Sequence, residues 1–313
     1  MLTAKSKRIY LDSLTIREKR LFYGRILESK KNKNYCNLLN VWKLKVGETS
    51  EEFFKKRLEW AGIENNELET LLNPVKSFEF DNHPIPEWVF ELQRFQDQYL
   101  LVENVYKNVR GFKEIPFSDF LAPFVEFFSR NMPWDNSHLS KNAIYDLKRD
   151  LLTELSRIAS QSLLEQMMSY DLNYDSFVKE SKEEGYVSFF TEYPYLTRLI
   201  FTRGMFWFEN TKSFIISLRR DCKQLSKMLN DDTIFVKSIV GSLSETHNKG
   251  KNVMIIETLN SHKFLYKQRS TDIEEKFFKI IEYLNSRMSL KQYVPWLLNR
   301  KTYSWMEFVE YRE

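Results

Sequence analysis

The chain is poor in glycine, cysteine, proline and histidine, with 8, 2, 8 and 4 of each among 313 residues. Average usage would put roughly 20 glycines in a chain of this length. The deficit argues against glycine-rich folds and low-complexity linkers, so any place where glycines gather requires a reason. Cys36 and Cys222 lie far apart, and His83, His138, His247 and His262 make no H-E-x-x-H or C-x-x-C spacing. An all-protein zinc site is therefore not expected, and a reducing, cytoplasmic setting is. Lys and Arg number 47 against 43 Asp and Glu, a net charge of +4 with both signs interspersed. Such a balance solvates a surface without building a polyanion stripe, so no nucleic-acid partner is expected. The first twenty residues lack the apolar core of a secretory signal, and no window reaches the length of a membrane span.

What is present up to about residue 230 is helical periodicity. After Ser140, the residues Ile144, Leu147, Leu151, Leu155 and Ile158 recur at steps of three or four, which places them on one face of a helix. Phe214, Leu218, Cys222, Leu225 and Met228 repeat the pattern, and Cys222 reads as a small core residue rather than a catalytic thiol. Shorter helices are expected at Glu51 to Ala61, Glu87 to Val109 and Phe117 to Met132. Breaks fall at Asn73-Pro74, from Asp81 to Pro86 and from Asn131 to Asn136. The aromatic density from Phe189 to Phe208 has no accompanying basic run and reads as core rather than a base-stacking platform.

Past Asn230 the pattern changes. Thr233 to Val240, Asn252 to Leu259 and His262 to Arg269 are β-branched and aromatic runs, and the last two meet at Asn260-Ser261, predicting a hairpin. Thr271 and Glu274 have the spacing of a capping box, and Phe277, Ile280, Ile281 and Leu284 make an apolar helical stripe ending near Asn285. The fold class is α+β: a large, mainly helical region over 1–230, then a small antiparallel sheet plus helix over 231–313. Between the first two strands runs a polar connection, 241–251, bracketed by Gly241 and Gly250. A two-residue turn at Asn260-Ser261 would set Lys267 opposite Met254, near the inner end of that loop. This is the strand-lysine arrangement of a kinase N-lobe, where loop amides cover phosphates, a third-strand lysine neutralises them and a glutamate on the next helix orients the lysine. Glu274, Glu275 and Glu282 are all candidates for that glutamate.

The segment S-E-T-H-N-K-G-K-N-V-M-I-I-E, from Ser244 to Glu257, is followed by F-L-Y-K-Q-R-S, from Phe264 to Ser270. Together they resemble the dehydratase domain of class II lanthionine synthetases, which typically show G-D-x-H-x-x-G-x-S-V and then Y-K-P-R-S. Tyr193 to Arg198, Ser217 to Asp221, Leu152 to Glu165 and Tyr303 to Phe308 fit the same family. The resemblance implies phosphorylation of Ser or Thr of a ribosomal precursor peptide, with its leader, from ATP and Mg²⁺. Elimination of phosphate to a dehydroamino acid then follows. By this resemblance Lys267 serves phosphoryl transfer, with Asn248, Gly250 and Arg269 beside the nucleotide, while Glu245 and His247 serve elimination. Glu245 stands where the family has Asp, and Gln268 where it has Pro.

The family's catalytic loop, its Mg²⁺-binding Asp and Asn, and its zinc cyclase domain follow the Y-x-W-x-E-F element, whereas this chain stops at Glu313. The expectation is therefore an N-terminal portion that is inactive in dehydration by itself, with no metal ligands of its own and a separate C-terminal half as a possible partner. The alternative is a non-catalytic module that binds a leader peptide or partners with a separate catalytic chain. The plainest reading is a helical structural protein. The aromatic stretch from Leu290 to Glu313 is expected to be exposed unless a partner covers it.

Overall fold

A computed structural model describes residues 2–29, 39–40, 43–44, 50–101, 110–241 and 248–310. The fold mixes helix and antiparallel sheet, as the class assignment anticipates. Two compact units divide the chain: Met1–Leu101 with Glu184–Phe201, and Val102–Glu183 with Thr202–Glu313.

In the first unit, helix α1 (Ala4–Asp12) starts at Thr3, whose hydroxyl accepts the Ser6 N–H. Helix α2 (Ile16–Leu21) opens on a capping box formed by Thr15 and Glu18. That glutamate also receives both guanidinium nitrogens of Arg198, at 2.6 and 2.7 Å. Strands β1 (Ile26–Ser29) and β2 (Val75–Phe78) pair antiparallel, with helices α3 (Glu51–Ala61) and α4 (Asn65–Leu72) between them in sequence. Helix α5 (Glu87–Leu101) follows the Asp81–Pro86 break, and the rest of the helix expected to Val109 lies outside the described residues. Phe95, Tyr99, Phe189, Phe190 and Phe201 are all buried, so this part of the aromatic density is core.

In the second unit, helices α6 (Ser118–Ser129), α7 (Lys141–Ser169) and α8 (Tyr174–Glu183) precede α9 (Val187–Glu192), which belongs to the first unit. Helix α10 (Pro194–Leu229) joins the second unit from Thr202 onward. Ser140 caps α7 by accepting the Ala143 N–H at 3.0 Å, and Leu147, Leu151 and Leu155 are buried as the spacing predicts. Strands β3 (Val236–Val240), β4 (Val253–Thr258), β5 (Lys263–Lys267), β6 (Leu297–Asn299) and β7 (Ser304–Glu307) form one antiparallel sheet in the order β3-β4-β5-β7-β6. One face, carrying Met254, Ile256, Phe264, Tyr266 and Trp305, packs into a core with Leu147, Phe214, Leu218 and Leu225. The change of character at residue 230 thus marks where helix gives way to strand, while compactness groups the sheet with the helices that cover it.

The hairpin register differs from the expected one by a single residue. Lys267 pairs with Val253, and Met254 pairs with Tyr266. The turn holds three residues, Leu259 to Ser261, with Ser261 at φ +63° and its N–H donating to the Thr258 carbonyl. A three-residue loop with a left-handed last residue advances the register by one relative to a two-residue turn. Lys267 therefore shares with Val253 the face opposite the core.

One further expectation is corrected. The closing aromatic stretch is exposed only in part: Leu290, Tyr293 and Val309 lie open, but the stretch supplies β6 and β7, and Trp305 and Tyr303 are buried within the sheet core. Conversely, the apolar stripe of helix α11 (Asp272–Asn285) stays mostly open: Phe277, Ile280 and Leu284 are exposed, as are Ile273 and Tyr283 beside them, and only Ile281 is half-buried. The reason is that α11 is held to the sheet by polar ties. Asn299 Nδ2 donates to Asp272 and Glu275 at 2.6 and 3.0 Å, which leaves the other side of the helix to solvent.

Candidate functional site

The site grows from the end of β5. Alternation along the strand sends Tyr266 and Gln268 toward the core and Lys267 to the opposite face. There the Lys267 Nζ lies 3.9 Å from Glu274 Oε1 on α11, with the two side chains 15% and 24% exposed. Arg269 Nη2 reaches the same Oε1 at 2.5 Å. Of the three candidate glutamates, Glu274 is the one that pairs with the strand lysine; Glu275 is taken by Lys279 and Asn299. The expected capping box is absent for the same reason. The Thr271 side chain makes no cap hydrogen bond, and its buried Oγ1 has no partner among the described residues, because Glu274 turns to the two cations.

Burial lowers the Lys267 ammonium below the usual lysine range, opposed by the Glu274 charge and assisted by Arg269. Burial works to raise the Glu274 carboxyl, but the Arg269 hydrogen bond and the Lys267 charge outweigh it and hold it below its usual range. At 3.9 Å the ion pair is too long for a hydrogen bond, and among the described residues the ammonium makes no other, so its donors can serve another anion.

The two loop glycines gather at a second place. Strand β3 is an edge strand; its Val236 N–H donates to the His138 carbonyl at 2.8 Å, and toward its end the outward N–H groups are taken by the acidic row of α7. Ile239 N–H donates to Asp146 Oδ2 at 3.0 Å, and the Gly241 N–H donates to Asp150. Strand residues two apart thus meet helix residues four apart, which blocks the edge against further pairing. A Cβ on Gly241 would stand 1.9 Å from Asp150 Oδ2, which gives the glycine its reason. Asn248, Lys249 and Gly250 run through a left-handed turn at φ +38°, +65° and +75°, and Asn210 Nδ2 of α10 donates to the Lys249 carbonyl at 3.0 Å. Asp150, Glu154, Arg203, Asn210 and Gly250 line one cavity of about 40 Å³. Burial, reinforced by the neighbouring Asp146, raises the Asp150 carboxyl from 3.8 to about 7; Arg149 and the Gly241 N–H oppose it, and Glu154 adds to it.

The structure therefore brings Lys267, Arg269 and Glu274 together and places Gly250 with Asp150 and Arg203. Asn248 is exposed in the left-handed turn. Glu245 and His247 lie outside the described residues. Sequence reasoning missed Asp150; the signal was the Asp146, Asp150, Glu154 spacing, which on a helix ordinarily marks a solvated face.

A third cluster was also missed. Asp221, 1% exposed, accepts from Tyr303 Oη at 2.7 Å, Trp305 Nε1 at 2.8 Å and Arg300 Nη2 at 2.9 Å. The Ser217–Asp221 and Tyr303–Phe308 motifs, read separately in sequence, are two halves of this lock between α10 and β7. Burial pushes the Asp221 carboxyl up, and these donors more than reverse it. Gln268, where proline was expected, ties the end of β5 to α10 by donating Nε2 to the Asn210 carbonyl at 2.9 Å.

Among the described residues no helix is long and apolar enough to cross a membrane, and no three His, Cys, Asp or Glu residues come together as a metal-binding group. No curated protein matches the chain. Residues 193–313, less than half of the chain, match the family model described as Domain of unknown function (DUF4135), a domain known from lanthionine synthetase-like proteins.

Proposed function

We propose that residues 231–313 form the nucleotide-phosphate-binding lobe of a lanthionine-synthetase-type dehydratase acting on Ser and Thr of a precursor peptide. The observation that carries this reading is the Lys267–Glu274 pair: a lysine on the third strand of the sheet, 3.9 Å from a glutamate on the helix that follows. In phosphoryl transfer such a pair holds the ammonium where charge builds on the transferring phosphoryl group. Lys267 and Arg269 would hold phosphate oxygens, and Glu274 would fix both cations from behind. ATP supplies the phosphoryl group that turns a hydroxyl into a leaving group. The left-handed turn at 248–250 would return the loop to β4, and Glu245 and His247 on that loop would serve elimination by analogy with the family's Asp and His. For magnesium, the described residues offer no group of three or more His, Cys, Asp or Glu side chains.

Support comes also from the DUF4135 match, which spans the sheet, α11 and Lys267. Calorimetric titration with ATP tests the reading. Lys267→Ala is expected to abolish nucleotide binding while leaving precursor binding unchanged; unchanged ATP affinity would overturn it. A second reading, a module that binds a leader peptide or a separate catalytic chain, is favoured by the exposed apolar face of α11, with Ile273 81% and Phe277 56% exposed. There Phe277→Asp would abolish partner binding and Lys267→Ala would not.

A further inference from the structure

On the core side of the β5 terminus, opposite Lys267, the second unit has a solvent-reachable cavity of about 290 Å³ between α10, the start of β4 and the β6–β7 turn. Its wall carries two cations, Arg220 and Lys251, the hydroxyls of Ser213, Ser217, Thr302 and Tyr303, and no carboxylate. This composition is unusual beside the rest of the chain, where 43 acidic residues are interspersed with 47 basic ones. Asp221, next to Arg220 in sequence, accepts from Tyr303, Trp305 and Arg300. The same lock orients the cavity: Tyr303 Oη donates to Asp221 and so presents its lone pairs to Arg220, whose Nε donates to it at 2.9 Å. Arg220 is thereby held at the cavity by a neutral hydroxyl, with Asp221 Oδ1 4.0 Å away as a counter-charge that it shares with Arg300. The side chains of Lys251, Ser213 and Thr302 make no hydrogen bond or ion pair among the described residues.

We infer that this cavity is a binding site for a phosphate-type dianion, either inorganic phosphate or the phosphoryl group of a phosphoserine side chain. Two cations with the unbonded hydroxyls of Ser213 and Thr302 in a concave wall match a tetrahedral, multiply accepting anion. The volume exceeds that of one phosphate, so a phosphorylated side chain with part of its backbone fits as well. The site does not depend on the nucleotide reading, since Lys267 lies on the other face of the sheet and takes no part in it.

The test titrates inorganic phosphate, and separately N-acetyl-phosphoserine amide, into the full chain at constant ionic strength, followed by ³¹P line broadening. Wild type and Lys279→Gln, a change at an exposed lysine of α11, are expected to bind alike. Lys251→Gln and Arg220→Gln are each expected to weaken binding roughly tenfold, the effect of removing one charge-assisted hydrogen bond. Binding of both ligands identifies a phosphoester site, and binding of inorganic phosphate alone identifies a free-phosphate site. Because Arg220→Gln also disturbs the contact to Tyr303, Lys251→Gln decides the matter, with thermal unfolding showing that the variant is folded. No binding by wild type, or equal binding by wild type and Lys251→Gln, would overturn the inference. So would loss of binding in Lys267→Ala with Lys251→Gln unaffected.

Discussion

Asp150 offers a perturbation whose size and sign both follow from its surroundings. Its carboxyl stands against the Gly241 N–H at the mouth of the glycine-bracketed loop, beside Asp146 on the same helix and with Glu154 one turn further on. An acid with a folded pKa of about 7 against an ordinary 3.8 binds its proton more tightly in the native state than in the unfolded one. The native state then gains nothing from deprotonation, so stability is greatest at low pH and falls as pH rises between these two values. At 1.36 kcal/mol per pH unit, the whole difference is about 4 kcal/mol, and between pH 4.5 and 8 it is about 3 kcal/mol. Asp150→Asn keeps an oxygen for the Gly241 N–H and removes the charge. Urea unfolding of wild type and variant at both pH values is the assay. The variant should gain on wild type by about 3 kcal/mol on going from pH 4.5 to pH 8, a relative midpoint shift of roughly 1–2 M urea. Other titrating groups cancel in this comparison. If the two proteins keep a constant difference across the range, Asp150 does not titrate near neutrality and the reasoning fails.

Asp221→Asn should destabilise the second unit by about 3–5 kcal/mol, since three donors converge on a carboxylate that is 1% exposed. Thermal unfolding would read this as a fall of roughly 6–20 °C. Because its folded pKa is lowered, the wild-type advantage is present above the unfolded pKa and disappears as pH falls through the folded one. Gly241→Ala must move Asp150 or the β3 edge, and a loss of about 1–3 kcal/mol is expected in urea unfolding. Glu274→Gln removes the charge that supports the Lys267 ammonium, so the lysine pKa should fall further. Measuring lysine modification against pH, with mass spectrometric readout at Lys267, checks this; an unchanged profile would show that the pair is not coupled.

Much of this fold was legible in sequence because the hydrophobic periods were clean. Ser140 and the three- and four-residue steps after it gave α7 its start and its buried face, and the strands fell where β-branched residues ran. The register escaped because it depended on Ser261 adopting a left-handed conformation, which its residue type does not demand. The stripe of Phe277 and Ile280 was legible but its exposure was not, because amphipathicity shows that a helix has an apolar face, not what covers it. The lysine position was readable from the strand and the resemblance. Its partner was not, because Glu274 and Glu275 are adjacent in sequence and only the set of the helix on the sheet separates them. Asp150 and Asp221 were hidden for a different reason. Each acts across a long sequence separation, on Gly241 and on Tyr303 with Trp305, and local pattern carries no such information.

The most direct test of the proposed phosphate site at Lys267 is labelling with an acyl phosphate of ATP. In this reaction a lysine amine beside the bound phosphates attacks the acyl carbon and displaces the nucleotide. Tryptic mass spectrometry of the labelled full chain should find the acyl group on Lys267, suppressed by excess ATP. Labelling spread over surface lysines such as Lys249 and Lys279, without competition by ATP, would contradict a nucleotide site there.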